Sequence, residues 1–390
     1  MTPSEKYVSE LCEKSFLPFW SFSNPIGKKG KELCDILIVC ENTIIIISVK
    51  DIRMSENKDE NIKYDRWVKK AVLDSVEQIY GAERFLETTD EVFLKNRIRK
   101  IKLPPKNKRI IHRIAIAFGS TDNFPLPTGD FGKGFVSVFD EKSTFTILNE
   151  LDTITDFTSY LVAKEKFIED KVILIPTEAD FLAFYLQTGF DVHIPDNSIL
   201  AGEKLWEDYL KSEEYSQWKE DIEVSYIWDI MIHLLHKFHL NEKTDDLRFN
   251  ELEEAIRTIN LEPRINRIEL GLSLEDAIKT KVKARMLKPL QNSKHSYVFM
   301  PLNEHNWEEK KGELELRCMV ARYENPNVEK VIGISIGSNN NGETCFDILA
   351  ITIPEINDEF VNDVNIIKKE LGYFVNPVIS TNKRIKSNKQ

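Results

Sequence analysis

Apolar positions near the start of the chain fall at helical spacing. Tyr7, Val8, Leu11 and Phe16 follow the stretch "TPSE", in which Thr2 suits an N-cap, Pro3 the first helical position and Glu5 the closing residue of a capping box. A helix is therefore expected over residues 3–16. "LPFWSFSNPIGKKGK" then breaks the period with Pro, Gly and Asn. Residues 34–40 and 43–50 are short, apolar and β-branched, which suits two strands. Helical spacing returns in "DRWVKKAVLDSVEQIYGAERFLE", with Trp67, Ala71, Val72, Val76, Ile79 and Tyr80 along one side. "HRIAIAFGS", "FVSVFD" and "KVILIP" read as further strands. "LNELDTITDFTSYLVAKEKF" reads as one helix, and "FLAFYLQTG", capped by "TEAD" and stopped at Gly189, as another. Alternating strands and helices imply an α/β domain over residues 1–198.

From 199 to 290 helices with charged faces dominate, with Trp206, Trp218 and Trp228 as expected core anchors. Residues 291–390 are expected to form a small α+β domain. There "ELELRCMVARY", "EKVIGISIG" and "CFDILAITI" would make an antiparallel meander, covered by a helix near 355–371.

With 390 residues, 42% apolar and 30% charged, the composition is that of a globular protein. No run approaches the ~18 apolar residues of a membrane span, and the start lacks the layout of a signal peptide. Cys12, Cys34, Cys40, Cys318 and Cys345 are odd in number and never spaced C-x-x-C, as reduced thiols of a cytoplasmic protein would be. A net charge of −11 argues against a protein coated all over by nucleic acid. One segment departs from that average: Lys95 to Arg113 holds nine Lys or Arg and no acid. Arg97, Arg99, Lys100, Lys102, Lys106, Lys108 and Arg109 are candidate phosphate contacts, as are Lys28, Lys29 and Lys31 in "GKKGK".

The stretch "CDILIVCENTIIIISVKD" carries the most specific chemistry. With Glu41-Asn42 as a two-residue turn, and Asn supplying positive φ, Cys40 faces Thr43. Asp35 then lies across from Ser48, and Lys50 falls two residues further along the same face. Asp51 points to the opposite face. Three polar side chains thus meet at the open end of an otherwise apolar hairpin. A weak surface ion pair is the plainer alternative.

On these residues the N-terminal part, residues 1 to about 195, resembles the PD-(D/E)XK nuclease superfamily, which has the restriction-endonuclease-like fold. Its pattern of Asp, then acid-x-Lys on the next strand, matches Asp35, Ser48, Val49 and Lys50, with Ser48 replacing the usual acid. The resemblance implies Asp35 and Glu10, from the preceding helix, as ligands of Mg²⁺ or Mn²⁺. It implies Lys50 as the catalytic lysine and Gln78, in "SVEQIYG" with Tyr80 nearby, as a positioner of water or phosphate. The chemistry suits phosphodiester hydrolysis, in which hard oxygen ligands hold the cation and a lysine offsets charge on the phosphorane.

The reading that follows is a metal-dependent DNA endonuclease in restriction or antiphage defence, as a homodimer or with a partner subunit and away from membranes. A catalytically degenerate fold that binds DNA as a scaffolding subunit is the alternative, and an RNA nuclease a third. His233, His236 and His239 step by three along a helix and are expected at its surface, as are Glu83, Arg84, Asp152 and Asp156. Neither a phosphate-binding G-x-x-x-x-G-K-[ST] loop nor a G-x-S-x-G elbow occurs.

Overall fold

Thr2 caps the first helix as its sequence suggests. In the computed structural model its hydroxyl accepts from the Glu5 N–H at 3.2 Å, and the Glu5 carboxylate accepts from the Thr2 N–H at 2.9 Å. Residues 1–54, 59–95, 100–120, 126–168, 172–192, 199–241, 246–290, 293–303, 308–338, 342 and 344–379 are described. The chain divides into two compact units, Met1–Asp221 and Ile222–Gln390. That break falls inside the stretch expected to stand as a separate helical domain.

The first unit opens with α1 (Pro3–Phe16), β1 (Ser21–Ser23), β2 (Ile36–Cys40) and β3 (Thr43–Asp51). Next come α2 (Glu60–Trp67) and α3 (Asp74–Leu86), joined by a π-helical turn, Val68–Leu73. Beyond them lie β4 (Glu91–Phe93), β5 (Lys100–Lys102), β6 (Ile110–Phe118), β7 (Gly129–Asp130) and β8 (Phe135–Phe139). A mixed sheet orders them β1-β2-β3-β6-β8-β7, while β4 and β5 pair as a separate ribbon. β1 to β3 are antiparallel neighbours, whereas β6 lies parallel to β3 and β8 parallel to β6. A parallel neighbour requires a crossover, and the α2–α3 segment supplies it.

Period 2 in the strands meets period 3.6 in the helix under that crossover. Leu37, Val39, Ile44 and Ile46 share a buried cluster with Trp67, Ala71, Val72, Val76 and Ile79. Each such aliphatic side chain contributes roughly 1.5–3 kcal/mol through burial. On the other face, α1 is pinned by serines: Ser9 bonds Ser23 at 2.5 Å, and Ser21 donates to the Cys12 carbonyl at 3.2 Å.

The helix expected across 148–167 is two, α4 (Glu141–Glu150) and α5 (Ile154–Ile168). Thr153 restarts the second by accepting from the Asp156 N–H at 3.0 Å, and its hydroxyl donates to the Asp156 carboxylate at 2.7 Å. Asp152, expected at a helix surface, is buried in the break. β9 (Val172–Leu174) pairs in parallel with β10 (Ile199–Ala201), with α6 (Glu178–Thr188) between; α7 (Leu205–Leu210) and α8 (Glu213–Ile222) follow. Gly189 ends α6 at φ 61°. Trp206 and Trp218 are half-buried in this region.

The second unit holds α9 (Tyr226–Asn241), α10 (Asp246–Asn260), α11 (Arg264–Lys279), β11 (Arg285–Met286), β12 (His295–Pro301), α12 (Lys310–Glu324), β13 (Lys330–Ser338), β14 (Thr344–Thr352) and α13 (Asp358–Leu371). Trp228 is buried and donates to the Arg267 carbonyl at 3.0 Å. The expected meander is corrected here. "ELELRCMVARY" lies in α12, and β12 and β13 are parallel strands joined by that helix; β13 pairs antiparallel with β14, and β11 with β12. Alternation misled because Leu314, Cys318 and Ala321 also sit at helical spacing, in a run of strong helix formers. Gly333 lets the helix approach the sheet, since a Cβ there would meet the Cys318 sulfur at 2.7 Å.

Candidate active site

β2 and β3 pair as Ile36↔Ile47 through Cys40↔Thr43. Carried one residue outward, that register sets Asp35 across from Ser48. The positive φ of the turn falls on Glu41, at 54°, and not on Asn42. Asp35 is 4% exposed, and its Oδ2 accepts from the Val49 N–H at 2.6 Å. Gln78, one turn into α3, reaches down to the same face. Its Oε1 accepts from both Ser48 Oγ and Lys50 Nζ, each at 3.0 Å. Asp35, Ser48, Lys50 and Gln78 are thus assembled at the end of the sheet, with Ser48 fully buried and Lys50 half-exposed.

Burial pushes the Asp35 carboxyl up to about 6, against the pull of the Val49 N–H and of the Lys50 charge; Glu32, hydrogen-bonded to it, and the charge of Glu5 push it further up. Neither acid was read as a neighbour of Asp35 from the sequence, in which Glu5 had only its place in the capping box. Glu32 sits on the β1–β2 connection, and Glu5 lies in the first turn of α1. Glu10, the acid expected from that helix, is 65% exposed and pairs with Lys6 at 3.6 Å. Five residues separate Glu5 from Glu10, about 140° around a helix, so the structure turns Glu10 to solvent and away from the site. Asp51 points to the opposite face, as its parity requires, and accepts from Ser4 Oγ at 2.5 Å.

Asn24 is a further residue without a sequence signal. It is 3% exposed at φ 48°, its N–H donates to the Asp35 carbonyl at 2.9 Å, and its buried Oδ1 has no hydrogen-bond partner. Mg²⁺ is commonly held by one or two carboxylates and completes its shell with waters and substrate phosphates. Asp35, Glu32 and the Asn24 oxygen have the donor chemistry for such an ion. Among the described residues no three His, Cys, Asp or Glu gather as metal ligands, here or at His233, whose Nδ1 lies 2.9 Å from the Asp229 carbonyl. The side chain of His239 lies outside the described residues.

The basic residues divide by role. Lys28, Lys29, Lys31, Lys102, Lys106 and Lys108 are exposed. Lys100 pairs with Glu91 at 2.7 Å. Arg109 is no surface cation: its side chain is 4% exposed and donates to the carbonyls of Pro104, Leu86 and Thr89 at 2.8, 2.6 and 3.0 Å. Arg97 and Arg99 lie outside the described residues. Glu83, expected in solvent, instead grips Arg113 of β6 through two bonds of 2.6 and 2.5 Å. Tyr80 donates to the Gly134 carbonyl at 2.6 Å, which fixes α3 over the sheet.

No family model matches the chain, no curated protein matches it, and no solved structure does. No helix among the described residues is long and apolar enough to cross a membrane.

Proposed function

We propose that this chain is a metal-dependent nuclease whose active site lies at the open end of the β2–β3 hairpin. The convergence of Asp35 and Lys50 on one face, with Gln78 bridging Lys50 and Ser48, carries this reading. Further support comes from the order of elements: a helix, an antiparallel meander, a helical crossover and a parallel strand, as in the restriction-endonuclease-like core.

Asp35 and Glu32 would hold Mg²⁺ or Mn²⁺. The chemistry supplied by such a cation is charge neutralisation at the phosphate and a more acidic water. Lys50 presents Nζ donors where negative charge builds on the phosphorane. Gln78 acts as a positioning residue, because its single amide oxygen holds both Lys50 and Ser48 in place. Val49 orients Asp35 through its backbone N–H. A role in restriction or phage defence rests on analogy of fold alone.

A second reading, binding without cutting, is favoured by one observation: Ser48 fills the place of an acid, and its hydroxyl proton is committed to Gln78. Purified protein incubated with supercoiled plasmid, linear DNA and RNA, in Mg²⁺, Mn²⁺ or EDTA, separates the two. A nuclease cuts at least one substrate in metal and none in EDTA. Gel-shift binding with no cutting in any metal would favour the second reading.

A further inference from the structure

We infer that the β1–β2 connection and the β4–β5 ribbon form one surface that binds an unpaired polynucleotide strand. This inference rests on the nuclease reading above, because it assigns that site its substrate class.

Residues 24–35 continue the β1–β2 pairing outward. Asn24 donates to the Asp35 carbonyl at 2.9 Å, Leu33 to that of Pro25 at 2.8 Å, and Gly27 to that of Lys31 at 2.7 Å. Ile26 bridges Glu32, so the connection is a narrow antiparallel ribbon with Lys28, Lys29 and Lys31 at its tip. At φ 56° and 75°, Lys29 and Gly30 turn the chain there. The lysine tip lies four to seven residues from Asp35, roughly 10–20 Å along an extended ribbon. That is the reach of a few nucleotides.

A second element closes on the first. Ile26 also bridges Phe93, donating to its carbonyl at 2.7 Å, which holds the edge of β4 against the ribbon. Phe93 is 40% exposed, with Lys100 Nζ 5.0 Å from its ring centroid. Lys95 and Lys102 are exposed on the same ribbon. Lys28, Lys29, Lys31 and Lys102 make no ion pair among the described residues, whereas Glu91 offsets Lys100 alone. On a chain of net charge −11, lysines without an ion pair on two segments that meet at the Ile26–Phe93 bridge, together with an exposed aromatic ring at that bridge, form a local anion-binding surface.

The ring decides which polyanion fits. A duplex offers its phosphates and base edges, but the faces of its bases are stacked on one another and closed to an aromatic ring. An aromatic platform beside a basic track is the arrangement that takes unstacked bases from a single strand. The ribbon would guide that strand from the lysine tip past Phe93 and across Asp35.

Fluorescence anisotropy in EDTA measures this apart from cleavage. The full chain is titrated into fluorescein-labelled oligothymidylate, oligouridylate and a blunt duplex, each of about 20 nucleotides per strand, a length that covers the site sizes of such surfaces. The single strands are expected to bind at least about tenfold tighter than the duplex, with DNA and RNA arms showing which strand is preferred. Phe93→Ala should weaken single-strand binding by about 5- to 100-fold and leave duplex binding unchanged. Lys28→Glu/Lys29→Glu/Lys31→Glu should weaken both and flatten their salt dependence. All the altered ribbon residues are exposed, and an unchanged thermal midpoint certifies the fold. Equal affinity for single strand and duplex, or full binding by the ribbon variants, overturns the inference. Metal-dependent cleavage with those results would leave the nuclease standing and the surface refuted. Strand binding without cleavage would do the reverse.

Discussion

Asp35 is the residue on which the proposed chemistry turns, and its environment makes a measurable claim. Folding moves its carboxyl from an ordinary 3.8 up to about 6, chiefly through burial. The folded chain therefore keeps a proton there to higher pH than the unfolded chain does. The stabilisation is present in full below about pH 4 and is lost as pH rises through about 6, at 1.36 kcal/mol per unit of difference, or roughly 3 kcal/mol. Asp35→Asn cannot titrate. In urea unfolding the variant should gain about 2–3 kcal/mol on the wild type between pH 4 and pH 8, and parallel pH profiles would contradict the raised carboxyl. Mg²⁺ prefers the ionised carboxylate, so it should stabilise the wild type more at pH 8 than at pH 5 and leave Asp35→Asn unaffected.

Several residue roles were beyond reach of the sequence because charge has the same signature whether solvated or buried. Arg109 and Glu83 look like surface groups in "KNKRIIHR" and "GAERF", yet one holds three carbonyls and the other clamps Arg113. Glu10 failed for another reason. A helix's own sequence sets which residues share a face, but only packing against the hairpin sets which face meets the site.

Hairpins are more transparent than helices at the scale of elements. A strand has two faces and a two-residue turn fixes the register, so Asp35, Ser48 and Lys50 could be aligned from "CENT" outward, whereas Gln78 was reached only through the resemblance to the nuclease pattern. The C-terminal strands were less legible because alternating apolar residues in α12 also satisfy a helical stripe. The close of the β3–β6 pair depends on one glycine. After Asp51↔Phe118, Gly119 turns at φ 82°, and a Cβ there would overlap the carbonyl oxygen of Ile52. Gly119→Ala should cost about 2–4 kcal/mol through this backbone clash, read as a lower urea midpoint. A change under about 0.5 kcal/mol would mean that the exit of β3 yields freely.

For the molecule as a whole, the unit Met1–Asp221 contains every residue of the candidate site. The second unit has its own buried framework, in which Asp229 is gripped by Arg264 at 2.6 Å and by Arg267. Its parallel β12–α12–β13 unit shares no residue with the chemistry proposed here. The proposed catalysis therefore stands or falls on the first unit. Single-turnover cleavage in Mg²⁺ by the full chain, by Lys50→Ala and by Glu10→Ala tests the proposal most directly. A nuclease built on Asp35 and Lys50 predicts a loss of at least about 100-fold for Lys50→Ala, within the range for removing one charge-stabilising donor, and a rate near wild type for Glu10→Ala. Cleavage by Lys50→Ala at the wild-type rate would contradict it.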